Sequence, residues 1–300
     1  MSLPLRYRRE IVALKRKLRA GSKVARTALG PVEYAEVGEG IPVLAVHGIC
    51  GGYDQGLIAL GLWSDFPGRL IAVSRPGYLR TPLRVGKTWE GQADAYAALL
   101  DALGIEKAIV VGMSGGGPSV LQFALRHGQR CAALIMASTV TLPLDPGLTA
   151  TQKALLTALN TDLGLWLFGA LAPERLMALN GVGESTLRYV ADDPVKMRLI
   201  WELVKPLPMS QRRAGFNNDL RQFPRTPMYL VERISAPTLV VHGMADRVVP
   251  LEQAEFVAAG VPGAERYYVE GGGHLCPITH SELLIPRIME FLRPLGVALV

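Results

Sequence analysis

Cysteine is scarce in this sequence: Cys50, Cys131 and Cys276 are the only three among 300 residues. An odd count with no metal-ligand spacing argues against a disulfide scaffold and against a zinc site, and it fits reduced thiols in a cytoplasmic protein. Charge is thin as well, with 19% charged residues against 49% hydrophobic ones, a balance that excludes a disordered chain. Long apolar runs are missing. Residues 163–172 come nearest, but they are too short for a membrane span and carry Gly164 and Gly169. No apolar core follows the first charges, so no secretory signal is read there. Repeats and low-complexity tracts are absent too.

What charge there is sits at one end. The chain carries a net +6, yet residues 1–30 hold nine basic residues against Glu10 alone, a net +8. The remaining 270 residues are therefore close to neutral, which leaves no general nucleic-acid signal and no nucleic-acid partner is expected. Ile11, Leu14 and Leu18 recur at helical spacing, so a basic amphipathic helix is predicted across this segment. Its aliphatic stripe would pack on the body; contact with an anionic membrane or a protein partner is the alternative use of the same helix.

Beyond residue 30, short apolar runs alternate with helical stretches. Strands are predicted at 32–37, 42–46, 70–73, 108–111, 132–137, 238–241 and 266–269, and helices at 92–103, 118–127, 252–259 and 282–292. Thr279 and Glu282 are spaced as a capping box for the last helix, which Pro286 should kink or restart. This alternation predicts an α/β protein with a mostly parallel central sheet flanked by helices. From 141 to 230 the rhythm breaks, and helix-forming segments punctuated by prolines replace it. That is too long for a loop in a compact domain, so a helical lid inserted into the core is expected. The predicted organisation is a basic helical segment at 1–30, a core at 31–140 and 231–300, and a lid at 141–230.

Three segments carry the chemistry. A nucleophilic hydroxyl needs a nearby base and a turn sharp enough to present it. Gly112-Met113-Ser114-Gly115-Gly116 follows one predicted strand and opens a helix, so Ser114 is the candidate nucleophile, with small neighbours that tolerate strained backbone. The strand at 238–241 runs into a turn containing Asp246. The strand at 266–269 delivers His274 through Gly271, Gly272 and Gly273. His274 would take the serine proton, and Asp246 would fix the imidazole tautomer. Asp219 and Glu270 are the weaker alternatives for the acid.

The order serine, aspartate, histidine on strand ends is similar to that of the α/β-hydrolase superfamily, which the chain resembles from about 32 to 292. The resemblance rests on His47-Gly48, on Ser74-Arg75-Pro76-Gly77-Tyr78, on the turn at Ser114, and on the Asp246 and His274 segments. It implies an oxyanion hole made by the backbone N–H groups of Ile49 and Gly115. Relatives often begin the second of these motifs with aspartate where this chain has Ser74, a difference expected to be structural. The resemblance also implies a reaction without metal or organic cofactor.

Other residues read less sharply. His47 is expected to shape the oxyanion loop, His242 to be a satisfied core histidine, and His127 and His280 to lie at the surface. Asp54 and Gln55 could touch substrate or cap a helix starting near Gln55. Cys50, Met113, Trp166 and Phe168 are candidates for the substrate pocket. The leucine-rich lid favours an apolar acyl or alcohol group over a sugar or phosphate. The expected activity is cleavage of a carboxylic ester or lactone, a small-molecule substrate, through an acyl-enzyme. The same triad would serve a C–C hydrolase of dienoic ring-cleavage products, a cofactor-free perhydrolase, or a slow-turnover receptor. A dienoate would need a cation for its carboxylate, for which Arg75, Arg212, Arg213 and Arg221 are the candidates.

Overall fold

The computed structural model describes residues 3–60, 68–145, 147 and 149–296. Eight strands form one sheet: β1 (Lys23–Thr27), β2 (Gly30–Val37), β3 (Ile41–Val46), β4 (Gly68–Val73), β5 (Ala108–Met113), β6 (Cys131–Ala137), β7 (Thr238–Gly243) and β8 (Glu265–Val269). Their spatial order is β1-β2-β4-β3-β5-β6-β7-β8. β1 and β2 pair antiparallel, as do β2 and β4, and the remaining neighbours are parallel. The chain leaves β3 to one side to form β4, then crosses to the other side to form β5. Loops leaving the carboxyl ends of β3 and β5 therefore diverge, and the crevice between them is where an open α/β sheet takes its ligand.

Both faces of the sheet are covered, which is why its central strands are continuous apolar runs rather than alternating ones. Leu44, Val46, Val110 and Met136 face the helices α3 (Trp89–Ala102), α4 (Gly117–Arg126) and α11 (Leu251–Gly260). Val43, Ile109, Ile135 and Val241 face the opposite side, where α13 (Ser281–Leu292) contributes Leu284, Ile288 and Phe291. The helix α2 (Tyr53–Leu60) packs beside them. Thr88 caps α3 by accepting from Gly91 N–H, and the chain leaves that helix through Gly104 at φ +67°.

The basic segment divides in two, which corrects the reading of residues 1–30 as wholly helical. The helix α1 (Leu3–Ala20) buries Ile11 and Leu18, while residues 23–27 form β1, an edge strand of the core sheet. β1 escaped prediction because an edge strand buries little, and its residues are mostly exposed or half-buried.

Among the described residues between β6 and β7 the regular elements are helices: α5 (Ala150–Leu159), α6 (Asp162–Leu171), α7 (Pro173–Leu179), α8 (Glu184–Tyr189), α9 (Pro194–Val204) and α10 (Arg213–Gln222), with short 3-10 turns. Thr149 and Gln152 form a capping box at the start of α5. The expected box at the last helix does not form. The short helix α12 (Cys276–Thr279) precedes α13, and Thr279 Oγ1 is spent on Leu275 O and His280 Nδ1. Glu282 instead accepts from Tyr189 Oη at 2.5 Å and from Lys196. Pro286 lies inside α13 without interrupting it, although it leaves the Glu282 carbonyl without an intrahelical donor. Among the described residues no single helix is long and apolar enough to cross a membrane.

Candidate active site

Three strand ends converge above the sheet. β5 hands the chain to a 3-10 turn at Ser114–Gly116 and then to α4, so Ser114 sits at the tip of a reversal. Its φ of +47° lies in the left-handed region that side chains avoid, and the surrounding structure must hold it there. Close packing explains the neighbouring glycines. A Cβ on Gly112 would fall 2.4 Å from Val120 Cγ2, and one on Gly48 would fall 2.8 Å from Ser114 Cβ.

Ser114 Oγ lies 3.0 Å from His274 Nε2, and His274 Nδ1 lies 2.8 Å from Asp246 Oδ2. Asp246 is itself fixed, its Oδ1 accepting from the N–H groups of Val248 and Val249 at 2.8 and 3.0 Å. Burial pushes this carboxyl up, but the interaction with His274 and the two amides outweigh it, holding Asp246 below the ordinary carboxylate value. An ionised carboxylate, an imidazole and a hydroxyl in this chain can move a proton from oxygen to nitrogen. Glu270 is exposed, and Asp219 is bound elsewhere, so neither alternative acid reaches His274.

Two backbone amides border Ser114. Gly115 N–H stands at the start of the turn, where an amide has no acceptor within its own helix. Ile49 N–H follows β3 across the crevice and has no acceptor among the described residues. His47 shapes this loop. Its Nδ1 bonds Gly48 O at 2.7 Å, and its Nε2 accepts from Arg75 N–H at 2.9 Å. Because one partner only accepts and the other only donates, the ring is neutral with its proton on Nδ1. Burial, then the Arg75 charge, hold its pKa well below the usual value.

A cavity of about 500 Å³ opens over Ser114 and His274. The segment between β6 and β7 supplies about half of its wall, including Leu156, Leu159, Leu165 and Leu203 from its helices and Leu207 just after α9. Cys50 and Met113 line it, as predicted from the sequence. Burial pushes the Cys50 thiol up to about 12, so it packs there as a small hydrophobe. Trp166 and Phe168 do not line it, contrary to expectation. Along α6 the cavity meets Leu165; Trp166 turns away toward α1, where its indole N–H finds Glu10 at 2.7 Å and its ring meets Tyr7 edge-on. Phe168, a turn beyond Leu165, lies outside the lining.

The arginines that were candidates for a dienoate carboxylate are engaged elsewhere or stand outside the cavity wall. Arg75 is fully buried and paired with Asp219, while Arg212 is buried against Asp54 and Gly51 O. Arg213 bonds Asn160 O, and Arg221 is not in the cavity wall. Lys205 is the one Lys or Arg side chain among the described lining residues, and its Nζ lies 2.5 Å from Glu202. Asp54 holds Arg212 rather than touching the cavity, whereas Gln55 does line it; α2 starts at Tyr53, earlier than expected. Ser74 links Tyr53 N–H to Glu33, a structural role. His242 is buried as expected, with Nε2 on Val249 O at 2.9 Å, but it is not the satisfied histidine expected: its Nδ1 is buried with no partner among the described residues, and Nε2 also stands 3.5 Å from Asp246 Oδ2. His280 is buried against Tyr189 instead of lying at the surface.

The family model for the alpha/beta hydrolase fold matches residues 41–281. The chain is 29% identical over 264 residues to a 2-hydroxymuconate semialdehyde hydrolase of Pseudomonas putida, covering 85% of this chain and 88% of that one. It is 28% identical over 264 residues to an uncharacterised hydrolase of Bacillus subtilis, covering 82% and 89%. Among solved structures, an alpha/beta hydrolase fold protein from Nakamurella multipartita is 38% identical, with a TM-score of 0.80 over 91% of this chain and 99% of that one. A thermophilic esterase from Thermogutta terrifontis is 25% identical, with a TM-score of 0.70 over 91% and 98%. The strand order, the crevice and these matches agree: the chain belongs to the α/β-hydrolase fold family.

Proposed function

We propose that this protein is a serine hydrolase that cleaves a carboxylic ester or lactone of a small to medium, largely apolar substrate. The observation that carries the reading is the hydrogen-bonded chain Ser114–His274–Asp246 at the base of an apolar cavity. Ser114 Oγ attacks the carbonyl carbon as His274 Nε2 accepts its proton, and the carbonyl oxygen becomes an oxyanion held by Ile49 and Gly115 N–H. Collapse expels the alcohol, which takes the proton from His274 and leaves an acyl-serine. Water then attacks this ester, giving its proton to His274, and the second collapse frees the acid and returns the proton to Ser114. Asp246 stays ionised throughout and stabilises the imidazolium.

A second reading, hydrolysis of a C–C bond in a dienoic acid, draws support from relatives bearing such names, among them the Pseudomonas putida enzyme. The cavity weighs against it. A dienoate brings a carboxylate into the wall, where Lys205 is already paired and Arg75 and Arg212 are committed to aspartates. An unpaired charge buried there is costly.

One assay separates the readings: p-nitrophenyl esters of graded chain length, a set of lactones and one ring-cleavage dienoate, each with wild type and Ser114→Ala. Ester or lactone turnover that disappears in the variant is expected. Preferred turnover of the dienoate would establish the second reading. Labelling by a fluorophosphonate without turnover of any substrate would point to a receptor on the same fold.

A further inference from the structure

The loop that carries Ile49 is held by two arginines, and each is anchored across the boundary between sheet and helical insertion. Arg75 belongs to the loop after β4, and its guanidinium is gripped by Asp219 of α10, Nη1 to Oδ1 at 3.1 Å and Nη2 to Oδ2 at 2.5 Å. Arg212, just before α10, is held by Asp54 of α2 at 2.9 Å. Both then reach the same loop. Arg75 Nη2 donates to Gly48 O at 3.1 Å, and Arg212 Nη1 donates to Gly51 O and to Cys50 O. Tyr78 Oη adds a bond to Asp219 at 2.6 Å, and all of Arg75, Tyr78, Arg212 and Asp219 are buried. The backbones meet as well, Gly215 N–H bonding Gly77 O at 2.8 Å.

Gly48 O therefore accepts from a cation and from the His47 ring at once. That carbonyl shares its peptide unit with Ile49 N–H. Donors on the oxygen fix the plane of the peptide and draw electron density toward it, which leaves the N–H more positive. An arginine is suited to this task because its planar fork serves the carboxylate and the carbonyl together.

We propose that the helical insertion is a working part of the oxyanion hole. Asp219 holds Arg75, and Arg75 sets and polarises the Gly48–Ile49 peptide, so both are positioning residues for the Ile49 donor. The inference rests on the ester-hydrolysis reading above.

Asp219→Asn keeps the shape of the side chain and an acceptor for Tyr78 but removes the charge that orients Arg75. The double variant Arg75→Met with Asp219→Leu removes both charges together, so no buried ion is left alone, and a cooperative thermal melt checks that it folds. With a p-nitrophenyl ester, kcat is expected to fall about 10- to 100-fold in each while KM changes little. Binding of a trifluoromethyl ketone, whose serine adduct places an oxyanion in the hole, should weaken in parallel with kcat/KM. A purely structural role would lower the melting temperature without that parallel. The proposal is overturned if the folded variants keep kcat within twofold of wild type, or lose affinity for substrate alone. Wild type without Ser114-dependent ester turnover overturns the hydrolase reading itself, and this inference with it.

Discussion

Trp166 donates its indole N–H to Glu10 across 2.7 Å, a bond spanning 156 residues that joins the amino-terminal helix to the helical insertion. Lys15 strengthens the same junction through Asp162 at 2.7 Å. The basic helix is thus a brace for the wall of the cavity. Glu10→Ala removes the indole's acceptor at a position open to water, which should cost about 0.5–1.5 kcal/mol in urea denaturation. Glu10→Gln keeps an acceptor and should cost less. Limited proteolysis should find cleavage within α5 and α6 faster in the alanine variant; equal rates would mean that the brace does not hold the insertion.

Ser114 is held in a strained backbone conformation. Its φ of +47° suits glycine, so Ser114→Gly should be at least as stable as Ser114→Ala, by up to about 1 kcal/mol, with both variants inactive. Paired thermal melts and ester assays check both halves of this expectation.

Gly48 leaves no room for a side chain beside the nucleophile. Gly48→Ala places a methyl 2.8 Å from Ser114 Cβ, so either the loop or the serine must move. Shifting one oxyanion donor should lower kcat by about 100-fold or more with a modest change in melting temperature. Wild-type kcat in a folded Gly48→Ala protein would exclude Ile49 N–H from the hole.

The cavity sets a chain-length preference. Each methylene moved from water into an apolar wall contributes about 0.8 kcal/mol, so kcat/KM should rise about fourfold per methylene until the space is filled. Leu159→Trp reduces that space from α5 and should move the optimum to shorter acyl chains. An unchanged optimum would place the acyl group elsewhere.

Acid should destabilise the protein from near pH 6.5 downward. Burial lowers the pKa of His47, His242 and His280 from the ordinary histidine value of 6.5, so below that pH the unfolded chain binds protons that the folded one does not. Stability therefore falls as pH drops through this window, and it levels off above 6.5 as far as these groups contribute. Asp246, whose folded pKa is lowered, adds a further loss only below its unfolded value of about 3.8. Urea midpoints measured between pH 8 and pH 4 report the slope (a range set about the histidine and carboxylate pKa values), and His242→Asn should reduce it.

The residues of the candidate site were legible because each is announced locally. A buried strand, a tight turn and a polar residue at its exit stand within one short segment at Ser114, at Asp246 and at His274. Partnerships across the chain left weaker signs. Nothing beside Arg75 names Asp219, 144 residues away, and an arginine in a loop motif reads equally well as a substrate ligand. Trp166 looked like a pocket residue because an aromatic in a leucine-rich helix shows hydrophobicity but not direction. One sign was available: Glu10, a lone acid among nine basic residues, has a use that its own helix only partly supplies. β1 gave no such sign, since it alternates exposed and half-buried residues at the margin of the sheet.

The position of the insertion has one more consequence. It leaves the sheet after β6 and returns at β7, and those two strands are adjacent parallel partners. Everything between them can be exchanged or lengthened without altering the register that brings β5, β7 and β8 together. Reactivity and selectivity are therefore separable inheritances in this chain, and descendants could acquire new substrates by rewriting helices while the proton path stays as it is. The crossed arginine pairs bear on that freedom: a replacement without an acid at Asp219 or a base at Arg212 gives up the ion pairs that tie the insertion to the core.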